Sequence, residues 1–260
     1  MILCDYHIHS TYSDGKSTPE EIVLAAIAKG AKAIGFSDHS YTDFDLCCCM
    51  HKNADVSYIK EISSLKEKHK DKIEILCGIE QDYYSENSTR CYDYIIGSVH
   101  YLKVGDEFIT VDESAKTLLS AADKYFGGDI LSLCEEYYRL VAKVVQRTNC
   151  DIIGHFDLIS KTNEKAAFFD ENDPRYVAAW QKAADRLLEF KKPFEVNTGA
   201  ISRGYKSAPY PSKPMVEYIK QKGGKFIFSS DSHIADTLCF KFEDLTHYLG
   251  DGAEIVSSPK

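Results

Sequence analysis

Two short runs in this chain pair metal-binding side chains at alternate positions: His7-Ile8-His9 and Asp231-Ser232-His233. In extended backbone, residues i and i+2 point to the same side, so each pair presents two ligands to one ion. Four more candidates stand at the ends of short apolar runs: His39 in Phe36-Ser37-Asp38-His39, Glu80 in Gly78-Ile79-Glu80, His100 in Ser98-Val99-His100, and His155 in Gly154-His155. Mixed imidazole and carboxylate donors suit Zn, Fe, Mn or Co and do not suit Ca. They are too many for one tetrahedral ion, so two or three divalent ions (Zn, Mn or Fe) are expected. A bridging carboxylate such as Glu80 lets two ions sit roughly 3.5–4 Å apart, the arrangement used in phosphoester hydrolysis. Asp14, in Ser13-Asp14-Gly15, follows the first pair closely enough to reach the same ions, and reads equally well as a plain Asp-Gly turn.

The elements that must position these residues are short strands alternating with helices. Strands are predicted over residues 1–6, 33–37, 73–79, 94–99, 152–155, 194–196 and 225–229, each apolar and bounded by polar or Gly residues. Six of the seven end at a metal-ligand residue type; the sixth in order ends at the amide Asn197. Thr18-Pro19-Glu20-Glu21 is a capping box with Pro at the first helical position, and Gly30 lies past the end of that helix. Asp129 and Asp173-Pro174 open two further helices, and another is expected over residues 215–222. Residues 103–111 and 160–170 read as irregular, and the inserts 41–57 and 101–128 read as candidate lids. The pattern predicts an α/β fold with a closed or nearly closed parallel barrel, with an open doubly wound sheet as the alternative. In a barrel every strand opens its carboxyl end onto one face, so ligands distant in sequence converge there. Most of the nine histidines fall at that face.

At 260 residues with 44% apolar content, the chain is expected to form one domain over residues 1–260 with a substantial core. Its net charge of -9 argues against a nucleic-acid partner, though a local basic pocket for one phosphate is compatible with it. The start MILCDYHIHS lacks a leader pattern, and no apolar run approaches the ~20 residues of a membrane span. The nine cysteines form no CxxC pair, so a cytoplasmic protein with reduced thiols is expected. The cluster Cys47-Cys48-Cys49-Met50-His51 reads as a variable loop, because adjacent cysteines rarely share one tetrahedral ion. No GxGxxG, P-loop or GxSxG pattern competes with the metal reading.

Taken together, the runs His7-Ile8-His9, Ser13-Asp14-Gly15, Phe36-Ser37-Asp38-His39, Gly78-Ile79-Glu80, Ile96-Gly97-Ser98-Val99-His100, Gly154-His155 and Asp231-Ser232-His233 resemble the polymerase-and-histidinol-phosphatase (PHP) superfamily. More narrowly they resemble its stand-alone histidinol-phosphatase branch. The resemblance implies a distorted, TIM-like (β/α)7 barrel with a trinuclear site. It implies that His7, His9, Glu80 and Asp231 hold a first ion, Glu80, His100 and His155 a second, and His39 and His233 a third. Asp14 stands where many relatives place a His or an acid, and Asp38 becomes a partner that orients a histidine. Relatives also carry basic residues near Arg203 and Lys161 that contact the substrate phosphate. Lys at 161 replaces the expected Arg, giving a point charge without a bidentate fork.

The reaction implied is hydrolysis of a small phosphate monoester, L-histidinol phosphate in histidine biosynthesis, by a metal-bridging hydroxide and without a phosphoenzyme. Glu80, Asp231, His39 and Arg203 are the expected catalytic residues, and Arg203, Lys161 and Asn197 the expected substrate contacts. The competing readings are a phosphoesterase acting on nucleotides or another small ester, and a metal-stabilised interaction module without activity.

Overall fold

The computed structural model of the protein describes residues 3–45 and 47–259. Its strands are β1 (Cys4–Asp5), β2 (Ala33–Phe36), β3 (Glu74–Asp82), β4 (Tyr94–Ser98), β5 (Tyr101–Val104), β6 (Glu107–Thr110), β7 (Ile152–Ile153), β8 (Phe194–Asn197), β9 (Lys225–Ser229) and β10 (Glu254–Ile255). One parallel sheet runs in the order β1-β2-β3-β4-β7-β8-β9-β10, and β5 and β6 form a separate antiparallel hairpin. Beyond the ends of β1 and β9 the backbone closes the ring, with Ile8 paired to Ser232 and His9 N donating to Ser232 O at 2.8 Å. The fold is therefore the distorted (β/α)7 barrel, with β10 added beside β9 at the end opposite the closure.

All seven predicted strands occur. Met1 and Ile2, in the first of them, lie outside the described residues, and β10 was not anticipated because it is a two-residue strand on an edge. The strand after residue 152 stops two residues early because His155 N donates to the Glu195 side chain at 2.8 Å and leaves the ladder.

The helices are α1 (Pro19–Ala28), α2 (Asp55–His69), α3 (Ala115–Tyr125), α4 (Ile130–Val141), α5 (Val144–Thr148), α6 (Asn163–Ala166), α7 (Pro174–Leu188), α8 (Gly199–Ser202), α9 (Lys213–Gln221) and α10 (Phe242–Leu249). The capping box at Thr18 forms as read, and Asp129 and Asp173 cap α4 and α7. Two structured stretches were read as irregular or as inserts. The hairpin β5–β6 occupies most of residues 103–111, and α3 follows it with Leu118, Ala121 and Ala122 buried. Helix α2 buries only a narrow stripe, Tyr58, Ile62, Leu65 and His69, in an otherwise charged segment.

Alternation along the strands sorts side chains into two cores. Ile95, Ile153, Phe226 and Phe228 face the outer layer between sheet and helices. Tyr94, Ile96, Ile152 and Ile227, with Tyr6 and Ala33, fill the barrel interior below the mouth. The same parity aims Glu80, Ser98, Glu195 and Asn197 inward at the opposite end, above this plug.

Tyr94, one of the two tyrosines of the plug, donates its hydroxyl to the carbonyls of Tyr6 at 2.6 Å and Phe36 at 3.1 Å. Its ring fits only because residues 35 and 78 lack side chains; a Cβ on Gly78 would collide with ring carbons. Gly78→Ala is therefore expected to destabilise the fold by roughly 1–3 kcal/mol, with Tm falling about 2–4 °C per kcal/mol. Thermal unfolding checks this, and an unchanged Tm would show that the ring is not confined.

Candidate metal centre

The strand ends bring all nine expected ligand residues into one cluster. Four overlapping groups each place their ligand atoms within 4.8 Å of one another: His9, Asp14, His39 and His233; His7, Glu80 and His155; His7, His9 and Asp231; and His39, Glu80 and His100. Glu80 is the hub. Its Oε2 lies 3.2 Å from His7 Nε2 and 2.9 Å from His39 Nδ1, and its Oε1 lies 2.9 Å from His155 Nε2 and 3.5 Å from His100 Nε2. Asp231 Oδ1 lies 3.3 Å from His9 Nε2, and Asp14 Oδ2 lies 3.2 Å from His233 Nε2. Asp14 is thus part of the cluster and not merely a turn residue.

These groups fit a set of divalent cations. His7 Nε2, both ring nitrogens of His9 and Glu80 Oε2 are buried without a hydrogen-bond partner. Such orphaned atoms cost about 1–3 kcal/mol each; His7 Nε2 and His9 Nε2 both face Glu80 Oε2, and His9 Nδ1 faces Asp14 Oδ1 from the other edge of its ring. Mixed imidazole and carboxylate donors suit Zn, Mn or Fe.

A second tier of acids holds the ligands in place. Glu195, fully buried, meets His7 Nδ1 at 2.5 Å through Oε1 and accepts from His155 N through Oε2. Asp82 accepts from His100 N at 2.9 Å. Asp5 accepts from Ser230 N at 3.0 Å, which steadies the turn where Asp231 adopts φ 50°, a left-handed conformation that Asp tolerates better than most residues. Asp38, which the resemblance made a histidine's partner, instead accepts from Ser10 N at 2.8 Å and Ser13 Oγ at 2.7 Å. It fixes the loop after His9, and the carboxylates that meet histidine rings from behind are Glu195, on His7 Nδ1, and Asp82, on His100 Nδ1 at 3.3 Å. The period-2 pattern of Phe194-Glu195-Val196-Asn197 put Glu195 on the inward side, and that signal went unused.

The expected phosphate contacts divide. Arg203 and Lys161 line the cleft above the cluster. Arg203 Nη2 donates to Asp231 Oδ2 at 2.9 Å, and Lys161 Nζ donates to Asp112 Oδ2 at 2.8 Å. Asn197 is fully buried and does not line the cleft; its amide nitrogen donates to Glu195 at 3.0 Å and its oxygen accepts from Gly199 N at 2.8 Å. Its second N–H donates to Asp231 Oδ2 at 3.3 Å, so the structure makes it scaffolding, a buried amide with no donor left for a substrate. A further cation, Lys206, is buried and donates to Ser160 Oγ at 2.7 Å.

The protonation of the cluster follows from its crowding. Burial opposes charge on His39, but Glu80 and Asp14 outweigh it and push its pKa up to about 10. Burial likewise opposes charge on His7, and Glu195, Glu80 and Asp231 still hold its pKa well above the usual histidine value. Burial, with the charges of His233 and His39, pushes His9 down to about 3.

A family model described as "PHP domain" matches residues 5–203. The chain belongs to the PHP family. Asp231 and His233 lie beyond the matched stretch, and the fold brings them to the rest of the cluster. The probable histidinol-phosphatase of Schizosaccharomyces pombe is 29% identical, the match covering 87% of this chain and 79% of that protein. The histidinol-phosphatase of Bacillus subtilis is 25% identical, covering 92% of this chain and 96% of that one. The crystal structure of the Lactococcus lactis histidinol phosphate phosphatase, complexed with zinc, L-histidinol and phosphate, superposes with a TM-score of 0.72 at 25% identity, covering 98% of this PHP chain and 95% of that one.

Two predictions follow from this geometry. Glu195→Gln removes the negative charge and one of the two acceptor oxygens that serve His7 Nδ1 and His155 N, and is expected to weaken metal retention about 10–100-fold, read by competition with a chelator; unchanged retention would leave Glu195 no part in the site. Metal binding requires neutral imidazole. His39 and His7 have raised pKa values, so both carry protons at pH 7 without metal, and uptake must displace them. Titrating Zn or Mn into stripped protein in weak buffer should release protons, with affinity rising from pH 6 to 9, and binding without release would contradict the assigned charge states.

Proposed function

We propose that this chain is a metal-dependent phosphoric monoester hydrolase that converts L-histidinol phosphate and water to L-histidinol and phosphate. The observation that carries the reading is the meeting of nine ligand residues, with four orphaned buried atoms among them, directly beneath two cations in one cleft. The phosphatase names of relatives aligned along 79% and 96% of their length support the substrate, as does the zinc, L-histidinol and phosphate held by the Lactococcus lactis protein. The catalytic domain is taken to span residues 1–260. The cytoplasm is the proposed location, supported by nine free cysteines and by the absence, among the described residues, of a helix long and apolar enough to cross a membrane.

In this reading His7, His9, Asp14, His39, Glu80, His100, His155, Asp231 and His233 hold two to three divalent ions. Bound ions of this kind supply water activated as a nucleophile near neutral pH and neutralise phosphoryl charge. The chain's own residues do the rest. Arg203, fixed by Asp231, presents its remaining N–H groups to the equatorial phosphoryl oxygens, where charge stabilisation acts most strongly. Lys161, which lines the same cleft, adds a second positive charge. Glu80 and Asp231 keep the ligand rings in register, Glu195 fixes the orientation of His7, and the buried plug beneath excludes bulk water from below.

The test is phosphate release by metal-stripped protein, with Mn or Zn restored, from L-histidinol phosphate, AMP and p-nitrophenyl phosphate, alongside elemental analysis. A marked preference for L-histidinol phosphate, dependent on added metal, is expected. Preference for AMP moves the assignment to nucleotides, and failure both to bind metal and to turn over any ester overturns it.

A further inference from the structure

The cleft contains one ion pair that hydrolysis of a phosphate monoester does not by itself require. Lys161 and Asp112 both line it, joined at 2.8 Å. They come from separate parts of the fold. Lys161 follows the 3-10 turn Leu158–Ser160, and its ammonium also lies 4.8 Å from the centre of the Tyr205 ring. Asp112 stands just past hairpin strand β6, and the hairpin is fastened beside the metal centre because Val111 N donates to His100 O at 2.9 Å. The pair is sheltered, with side chains 13% and 26% exposed. Among the described residues, Asp112 has no second Lys, Arg or His in ion-pair range.

A phosphate that engages Lys161 therefore competes with Asp112 for it. When the anion wins, the carboxylate is left in a sheltered cleft without its ion-pair partner, with only the longer-range pull of His100 and His155 to offset it, and a poorly compensated charge there costs more than the pair had contributed. An ester with no positive charge carries that penalty in full. An ester whose alcohol bears an ammonium a few bonds from phosphorus removes it, because the ammonium replaces Lys161 beside Asp112.

We propose that Asp112 is a specificity-determining residue. Binding exchanges the Lys161–Asp112 pair for two others, phosphate with Lys161 and a substrate cation with Asp112, so the cleft selects phosphate monoesters of amino alcohols. The proposal rests on the phosphatase reading above, and L-histidinol phosphate, with its ammonium, belongs to this class. The exchange also bears on product release. Once the alcohol has left, inorganic phosphate competes with Asp112 for Lys161 and offers the carboxylate nothing in return.

The experiment compares the metal-loaded wild type with Asp112→Asn. It reads kcat/KM for L-histidinol phosphate and p-nitrophenyl phosphate, inhibition by inorganic phosphate, metal content and Tm. In the variant the ratio of the two kcat/KM values is expected to fall about tenfold or more, chiefly through KM for the amino ester. Inorganic phosphate is expected to inhibit at roughly tenfold lower concentration. In a Lys161→Met background, Asp112→Asn should no longer change inhibition by phosphate. Equal losses for both esters, or an unchanged phosphate inhibition constant, overturn the proposal. If Asp112→Asn loses metal or stability, Asp112→Ser is read by the same ratio. If the wild type ignores L-histidinol phosphate while cleaving other monoesters, the substrate assignment fails separately. O-phosphoethanolamine against ethyl phosphate then decides the role of Asp112, and a ratio unmoved by the substitution rejects it.

Discussion

One carboxylate organises this molecule. Glu80 brings its two oxygens within ion-pair range of five imidazoles, from His7, His9, His39, His100 and His155, in a site closed to solvent on the barrel side. A single buried anion cannot satisfy five such rings through protons alone, because protonated neighbours repel one another as strongly as they are drawn to it. The depressed pKa of His9, crowded by His233 and His39 as well as buried, expresses that conflict. Divalent cations resolve it by replacing several protons with fewer, more highly charged centres, each shared among rings and carboxylates. The geometry of the cluster is thus explained by a group that binds to it, and the rest of the barrel serves to keep the ligands from relaxing away.

How that is done is visible in the backbone. Near the mouth, acids on or just after four of the strands receive a backbone N–H from the neighbouring turn: Asp5 from Ser230, Asp38 from Ser10, Asp82 from His100 and Glu195 from His155. In every case the acceptor strand and the donor turn are adjacent in the ring, and the donor is a ligand residue or its immediate neighbour. A carboxylate accepting backbone N–H groups is a strong, directional anchor, and here the anchors run around the rim where ladder hydrogen bonds have ended. They explain why β7 is only two residues long, since His155 gives its amide to a side chain instead of a strand.

Much of this was legible in the sequence because barrel and chemistry share one period. His7 and His9, or Asp231 and His233, announce themselves by alternate spacing, and the apolar runs before His39, Glu80, His100 and His155 locate the strand ends. What escaped notice did so for physical reasons. Glu195 looked like an ordinary charge in a strand, and only parity with the inward Asn197 marked it. Asp38 sat beside a ligand in sequence but its partners, Ser10 and Ser13, belong to a loop whose path no local pattern encodes. Asn197 ended its strand as ligands do, yet the neighbours that consume its hydrogen bonds come from residues 195, 199 and 231. Helix α2 was hidden because the stripe it buries is narrow and most of its surface is charged.

The inserts complete the argument by supplying what the barrel alone lacks. The metal cluster and Arg203 come from the strand ends and the turns that follow them, which fits a site that handles phosphate as such. The residues that can distinguish one ester from another come largely from outside that ring. Asp45, whose carboxylate accepts from the Tyr101 hydroxyl, ties the insert at 41–57 to the hairpin, and Asp112 ties the hairpin to Lys161. Phe44 packs on Phe108 across the same seam, with ring centres 3.5 Å apart. Two segments that sequence alone leaves as loops thus form one wall of the cleft, joined by side chains and tied to Lys161 through Asp112. The proposed reaction therefore draws on the repeating part of the fold, and the proposed selectivity on the part that interrupts it, as expected when rigid strands position reacting groups and loops shape what can reach them.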